Sequence, residues 1–167
     1  EGATTWRASL KEEPVAGDSS TAVDAGLPYH AYSASGDVTA PVVYAGNGNP
    51  ADYDWLAARG ITVLGKIVLV RYSVPYSYRG YKVQTAQQQG AAGILIYSDP
   101  ADDGSGKGQT YPRGPWGPDS RIQRGAVAYT FTVPGDPLTP GWPSRPGAKR
   151  IASRDAASLP TIVSAPL

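Results

Sequence analysis

The chain has 167 residues, 41% of them hydrophobic, which suffices for one domain with a buried core. A formal net charge of +1, with basic residues scattered along the chain, excludes the charge pattern of nucleic-acid-binding proteins, and the lack of cysteine excludes disulfide and thiolate chemistry. Twenty glycines and 16 prolines predict many turns and short elements in place of long helices.

Residues 1–27 are predicted to form a loosely structured segment that precedes a domain at residues 28–167. Polar, turn-rich stretches at residues 11–14 and 17–20 give the segment this character. Glu1 opens the chain without the basic head and apolar core of a signal peptide, and the chain has no methionine. We therefore expect a processed or excised part of a longer protein.

A strand, a short helix and a second strand are predicted next. The Val-Val-Tyr run at residues 42–44 follows a proline and forms the first strand. Residues 51–59 form the helix, for which Asn49 or Asp52 is the candidate N-cap. Residues 65–72 are an apolar, β-branched run that begins at a glycine, which is typical of a strand buried on both faces.

A second helix and strand complete a βαβ unit. Residues 80–89 predict a helix that presents Val83 and Ala86 on one face and ends at Gly90. Residues 93–97 predict another buried strand. Because a helix connects the two strands, we expect them to be parallel, with a right-handed crossover.

The remainder of the chain is predicted to consist mostly of loops. Residues 99–121 are rich in Gly, Pro and Asp and indicate a long surface loop. Residues 126–132 alternate weakly and indicate a strand, and residues 136–147 indicate another Pro/Gly loop. A last short strand is predicted at residues 159–163.

The sequence offers few groups for a catalytic centre. His30 is the only histidine, and we interpret it as a structural or surface residue because no zinc-ligand spacing surrounds it. No serine lies in a GxSxG motif, so a Ser–His–Asp triad and a stand-alone small hydrolase remain minor alternatives.

Two stretches imitate ligand-binding motifs. The Gly-Ser-Gly-Lys-Gly run at residues 104–108 lacks the spacing of a phosphate loop, and we interpret it as a flexible solvated loop. Asp99, Asp102 and Asp103 suggest calcium, but they lack the EF-hand pattern, which favours a solvated turn.

Arg79 is the single charge with the clearest functional promise. It lies in a tyrosine-rich loop, beside Gly80 and directly before the second predicted helix. A guanidinium group at such a place can bind a carboxylate through two hydrogen bonds. The alternative is an arginine that merely flanks the helix in solvent.

Five groups of segments occur in an order and spacing that resemble one family. They are GKIVLVRY with YRGYKV and AQQQGA at 65–72, 78–83 and 86–91, GILIYSDPAD at 93–102, QRG at 123–125, GDPLTPGWP at 135–143, and LPTI at 159–162. The chain resembles the protease-associated (PA) domain of the glutamate carboxypeptidase II, N-acetylated alpha-linked acidic dipeptidase and transferrin receptor family. The resemblance implies a mixed α/β, swivelling β/β/α domain with one βαβ unit and long Pro/Gly-rich loops.

The resemblance also implies a function. It indicates a substrate-recognition or lid domain of a zinc-dependent exopeptidase that is not catalytic in isolation, in a parent with two zinc ions and one calcium ion. Expected partners are the peptidase domain of the same parent chain and a peptide substrate with a free carboxylate, and no nucleic acid is expected. The parent is expected to be extracytoplasmic and homodimeric. The alternative is a non-enzymatic protein-interaction module, as in the receptor branch of the family.

Four residues match functional positions of the family. Arg79 matches an arginine that grips a substrate carboxylate, whereas Ala126 stands where an asparagine contacts the terminal glutamate of the substrate. The resemblance therefore implies that this contact is lost, which weakens the case for glutamate specificity. Thr139 and Trp142 match main-chain ligands of a structural calcium ion, whose acidic ligands belong to the neighbouring domain.

Overall fold

A four-stranded parallel sheet and a two-stranded parallel sheet form the framework of the computed structural model, which describes residues 4–167. The strands of these residues are β1 (His30–Ala31), β2 (Val42–Tyr44), β3 (Ile67–Arg71), β4 (Gly93–Tyr97), β5 (Gly125–Ala126) and β6 (Val163–Pro166). The helices are α1 (Pro50–Ala57), α2 (Arg79–Gln88) and α3 (Pro100–Asp103). The larger sheet has the order β2-β3-β4-β6, and β1 pairs with β5. This mixed α/β architecture confirms the predicted fold class.

The predicted βαβ unit is present. Strands β3 and β4 pair in parallel from Ile67 opposite Gly93 to Arg71 opposite Tyr97, and α2 connects them. Val83 and Ala86 of α2 are fully buried in the same hydrophobic core as the inward side chains of the sheet. The helix therefore covers one face of the sheet, and its first residue lies near the carboxyl end of β3.

Strand β3 alternates in burial. Val68 and Val70 are fully buried, whereas Ile67 and Leu69 are only half-buried. The prediction of a strand buried on both faces is therefore wrong for the second face. Successive side chains of a strand point to opposite faces, and the buried core cluster takes up only one of them.

Helix α1 begins with a capping box. The Asn49 side chain accepts a hydrogen bond from the Asp52 N–H at 3.1 Å, and the Asp52 carboxylate accepts one from the Asn49 N–H at 3.2 Å. Both predicted capping residues thus take part, with Asn49 as the N-cap. The helix ends at Ala57, two residues before the predicted end, and Gly60 follows with a φ of 70°.

Lys82 anchors helix α2 to the loops at the carboxyl ends of the strands. Its side chain is fully buried, and its Nζ donates to the Asn47 carbonyl at 2.6 Å and to the Ser73 hydroxyl at 3.0 Å. Burial lowers the pKa of Lys82 to about 8. The two bonds fix the start of α2, where Arg79 is located, against the turns that follow β2 and β3.

Two strand predictions in the last third of the chain are wrong in extent. Of residues 126–132 only Ala126 lies in a strand, because the backbone beyond it bonds elsewhere: the Tyr129 N–H donates to the Ser158 carbonyl at 2.7 Å. The strand predicted at 159–163 instead runs from Val163 to Pro166. Pro160 has no N–H, and the N–H of Thr161 donates to the Gln87 side chain at 2.8 Å, so neither joins the sheet.

Of the three segments predicted as loops or loosely structured, two contain short helices and one contains none. The segment predicted as a surface loop at 99–121 contains α3 and a 3-10 helix at Ser105–Lys107, whereas residues 136–147 contain no helix or strand. The N-terminal segment predicted at 1–27 contains a 3-10 helix at Ser19–Ala22, and its residues 1–3 lie outside the described part of the chain. None of the helices in residues 4–167 is long and apolar enough to cross a membrane.

Candidate substrate-binding site

Arg79 is held between two parts of the chain that are distant in sequence. It is the first residue of α2, and its Nη1 donates to the Gln123 side-chain carbonyl at 2.9 Å. The guanidinium lies against Gly125 of β5, and its Cζ is 6.0 Å from the centre of the Tyr72 ring. The alternative of an arginine that merely flanks the helix in solvent is therefore wrong.

The positive charge of Arg79 has no counter-charge within residues 4–167. No described carboxylate forms a salt bridge with it, and its Nε is buried without a hydrogen-bond partner. A buried donor without a partner is unfavourable, and a charged one more so. A carboxylate ligand bound to the guanidinium would supply the missing counter-charge.

Ala126 lies in the same strand as Gly125, next to the surface that the Arg79 guanidinium contacts. It is half-buried and pairs with Ala31 of β1. The structure therefore brings the two predicted substrate-contacting positions to neighbouring places in the fold. The methyl group of Ala126 offers no hydrogen-bond donor to a ligand at Arg79.

His30 of β1 lies opposite Gly125 in the ladder of the same strand pair. Its side chain is 3% exposed, its Nδ1 is 2.5 Å from the Ser164 Oγ, and its Nε2 has no hydrogen-bond partner among residues 4–167. Burial and, secondly, repulsion by the positive charge of Arg79 lower the pKa of His30 to about 4. The imidazole is thus neutral near pH 7, and Arg79 carries the positive charge of this region.

The His30–Ser164 contact does not form a nucleophile–base pair. Both side chains are buried, and no described carboxylate bonds to the imidazole to orient it. The interpretation of His30 as a structural residue agrees with this arrangement.

Gln123 is the residue that sequence reasoning missed. It was part of the motif Gln-Arg-Gly, but nothing in the motif indicates a partner 44 residues away. The only available signal was the spacing of two between Gln123 and Gly125, since alternate residues of an extended segment face the same side.

The three predicted turn aspartates keep part of their surface in solvent, as predicted for a solvated turn, and each is also paired with an arginine. Asp99 and Asp102 lie 3.5 Å and 3.2 Å from the Arg71 guanidinium, and Asp103 pairs with Arg121. Asp99 also caps α3. These carboxylates are therefore not free to form a calcium site.

The glycine-rich stretch at 104–108 is exposed, apart from Gly104, but fixed. The Ser105 hydroxyl donates to the Asp119 carboxylate at 2.8 Å, and a Cβ at Gly104 or Gly106 would meet the backbone of α3 below 3 Å. The glycines permit this close packing, and no phosphate loop is formed.

The turn with the two predicted calcium ligands is well defined. The Trp142 N–H donates to the Thr139 carbonyl at 3.0 Å, the buried Thr139 hydroxyl has no described partner, and the Trp142 side chain is 79% exposed. No group of three or more His, Cys, Asp and Glu residues able to hold a metal occurs within residues 4–167. Two carbonyls fall short of the six to eight oxygens that calcium takes, so these residues alone form neither a complete calcium site nor a zinc site.

Comparison with known proteins identifies similar sequences. The family model described as PA domain matches residues 38–129, which include Arg79, Gln123 and Ala126. The chain is 44% identical over 141 residues to a "Probable glutamate carboxypeptidase" of Arthroderma benhamiae, over 81% of this chain and 19% of that protein. It is 38% identical over 144 residues to "Aminopeptidase NAALADL1" of Rattus norvegicus, over 84% of this chain and 18% of that protein.

A relative whose name indicates no activity is equally similar. The chain is 40% identical over 136 residues to an "Inactive zinc metalloprotease" of Schizosaccharomyces pombe, over 81% of this chain and 17% of that protein. The chain thus spans less than a fifth of the length of the relatives it matches.

Proposed function

Because the chain belongs to the PA domain family and is similar over most of its length to glutamate carboxypeptidase-like proteins, we propose that it is the substrate-recognition domain of a zinc-dependent exopeptidase. The observation that carries the proposal is the uncompensated charge of Arg79, held at a fixed position by Gln123. Its ligand is the free carboxylate of a peptide. In this proposal the groups that hydrolyse the peptide belong to the peptidase domain of the parent chain.

The contribution of Arg79 is binding and orientation. Its guanidinium donates charge-assisted hydrogen bonds to the peptide carboxylate, each worth about 1.5–3 kcal/mol. That energy corresponds to about 10–150-fold in affinity. By fixing the end of the peptide, the domain holds the scissile bond in one place relative to the catalytic groups, which converts binding energy into orientation.

The substrate class is set by what surrounds the carboxylate. A site discriminates strongly for a polar side chain only if buried polar groups are left unpaired by the wrong substrate. Ala126 offers no such group. The proposed substrates therefore share a free carboxylate, and glutamate at the end of the peptide has no special advantage from this position.

The proposal includes the neighbouring part of the parent. The carbonyl oxygens of Thr139 and Trp142 contribute to a structural calcium site that acidic residues of the peptidase domain complete. The parent carries two zinc ions in that domain and functions outside the cytoplasm as a homodimer. The partner of the PA domain is then the peptidase domain of its own chain.

A second candidate function is a non-enzymatic interaction module. The 40% identity to a protein named as an inactive zinc metalloprotease favours it, as does the loss of a polar side chain at Ala126. In that case the same fold serves to bind a partner protein, and the parent has lost its metal ligands.

The two candidates differ in the activity of the full-length parent protein. We expect the parent to hydrolyse N-acetyl-alanyl-leucine, to lose this activity with a zinc chelator and to regain it with added zinc, whereas the 167-residue chain alone is inactive. A full-length parent that binds no zinc and hydrolyses none of a panel of acetylated dipeptides would support the interaction module.

A further inference from the structure

We propose that Gln123 is a positioning residue of this site: it fixes the Arg79 guanidinium without neutralising its charge and thereby sets the affinity for a peptide carboxylate. The inference rests on the proposed role of Arg79. It adds a residue to that role and explains why a neutral side chain occupies this position.

The contacts of Gln123 join two elements of the fold. Its side-chain carbonyl accepts from the Arg79 Nη1 at 2.9 Å, and its main-chain carbonyl accepts from the Tyr72 hydroxyl at 3.4 Å. Tyr72 directly follows β3, and Arg79 begins α2. Gln123 therefore connects the end of the central strand to the first residue of the helix that carries the charge.

Gly125 forms the other wall of the Arg79 position. Its φ of 154° lies in a region that favours glycine, and a Cβ at this residue would overlap the Arg79 guanidinium. Arg124, the residue between, turns away and pairs with Glu12 at 2.5 Å. The Gln-Arg-Gly motif thus directs its two outer residues to Arg79 and its middle residue to the opposite side.

The side-chain acceptor of Arg79 is an amide and not a carboxylate. Five other arginines of residues 4–167 pair with carboxylates, which cancel their charge: Arg71, Arg121, Arg124, Arg150 and Arg154. Arg79 instead has a neutral acceptor at the same kind of distance. A carboxylate at position 123 would form an ion pair with the guanidinium and compete with any anionic ligand.

The test uses the full-length parent protein and two probes, N-acetyl-alanyl-leucine and its C-terminal amide. The two probes differ only in the C-terminal group, which is a carboxylate in one and a neutral amide in the other. Leucine has no charged side chain, so the terminal carboxylate is the only charge of the acid. Isothermal titration calorimetry of the zinc-depleted parent, which does not hydrolyse the acid, gives the two dissociation constants. We expect Gln123→Glu to weaken binding of the acid by about tenfold or more and to leave binding of the amide within about twofold. Gln123→Ala, which frees the guanidinium but adds no negative charge, should weaken binding of the acid by about three- to tenfold.

Gln88→Glu is the matched control, because it makes the same change at an exposed residue at the other end of α2. It should change neither constant. Equal weakening of the acid and the amide by Gln123→Glu would show a merely structural role and overturn the inference. Unchanged constants in both Gln123 variants would also overturn it, while a loss of acid binding in Arg79→Ala would leave the proposed function standing. If Arg79→Ala also binds the acid normally, or if the unmodified protein binds neither probe, the proposed function falls with the inference.

Discussion

The Nδ1 of His30 lies 2.5 Å from the Oγ of Ser164, and this hydrogen bond joins β1 of the small sheet to β6 of the large one. Both side chains are buried, and the second nitrogen of the imidazole has no described partner. A charged imidazole at this point would be desolvated and would face the positive charge of Arg79. The contact between the sheets therefore depends on a neutral histidine.

Replacement of this histidine should make the stability of the fold less sensitive to acid pH. The pKa of His30 is lowered to about 4 from its ordinary value of 6.5, so between these values the unfolded chain binds more protons than the folded one. Stability therefore falls as the pH falls through this window, by about 3 kcal/mol at most from this residue. His30→Asn, which keeps a polar group near Ser164 but does not titrate, should lack this contribution.

Urea unfolding of the two proteins at about pH 7.5, 5.5 and 4.5 measures the effect as the difference in their free energies of unfolding. The difference should shift in favour of the variant as the pH falls. Parallel stability curves for the two proteins would contradict the assignment of a buried, neutral histidine.

Lys82→Ala should destabilise the fold strongly. The change removes the hydrogen bonds to Asn47 and Ser73 and leaves a cavity beside the core, which together cost about 2–4 kcal/mol. Lys82→Met fills most of the volume without a buried charge and should cost less. Lys107→Ala, at an exposed lysine, is the control and should lie within about 0.5 kcal/mol of the unmodified chain. Thermal unfolding of the 167-residue chain distinguishes these cases, and equal effects of Lys82→Ala and Lys107→Ala would contradict the anchoring role.

Calcium should have little effect on the isolated chain. The Thr139 and Trp142 carbonyls alone provide too few oxygens, so about 1 mM calcium should shift the midpoint of thermal unfolding by less than about 1 °C. The full-length parent should be stabilised by calcium under the same conditions. A saturable stabilisation of the isolated chain, absent with magnesium, would show that residues 4–167 complete the site without a neighbouring domain.

Ala126→Asn should introduce a preference for a terminal glutamate. The asparagine side chain would restore a donor and an acceptor at the residue that follows Gly125, whose Cα the Arg79 guanidinium approaches, and one such hydrogen bond to the ligand is worth about 1 kcal/mol. The ratio of affinities for N-acetyl-alanyl-glutamate and N-acetyl-alanyl-leucine should rise about five- to tenfold in the full-length variant. Ala126→Val, which adds volume without a polar group, should not raise this ratio. An equal ratio in Ala126→Asn and the unmodified protein would show that position 126 does not face the ligand.

Local sequence pattern predicted the parts of the fold that depend on neighbours in the chain. The apolar runs of β3 and β4 and the Asn49 cap of α1 follow from residues only a few positions apart, and each is present. The pairing of β1 with β5 was beyond such reasoning. Each strand has two residues, and His30 and Gly125, which lie opposite each other, are 95 residues apart. Two residues are too few to show any period.

The candidate site was likewise predicted only in part from the sequence. The motif around Arg79 indicated a charge beside a helix, and the resemblance indicated its ligand. The state of that charge could not be predicted, because it depends on Gln123, on Gly125 and on the lack of any described carboxylate nearby. These are contacts made by tertiary packing. The same holds for the pairing of Asp102 with Arg71, which the sequence did not indicate.

The central claim is that Arg79 binds the free carboxylate of a peptide, and the affinity of the full-length parent for N-acetyl-alanyl-leucine and its amide tests it most directly. We expect Arg79→Ala to weaken binding of the acid by about 10–150-fold and to leave binding of the amide nearly unchanged. The affinity of Arg79→Lys for the acid should lie between those of the unmodified parent and Arg79→Ala. Arg59→Ala, at another arginine without a carboxylate partner among the described residues but stacked on Trp55, is the control. An unchanged affinity of Arg79→Ala for the acid would contradict the account.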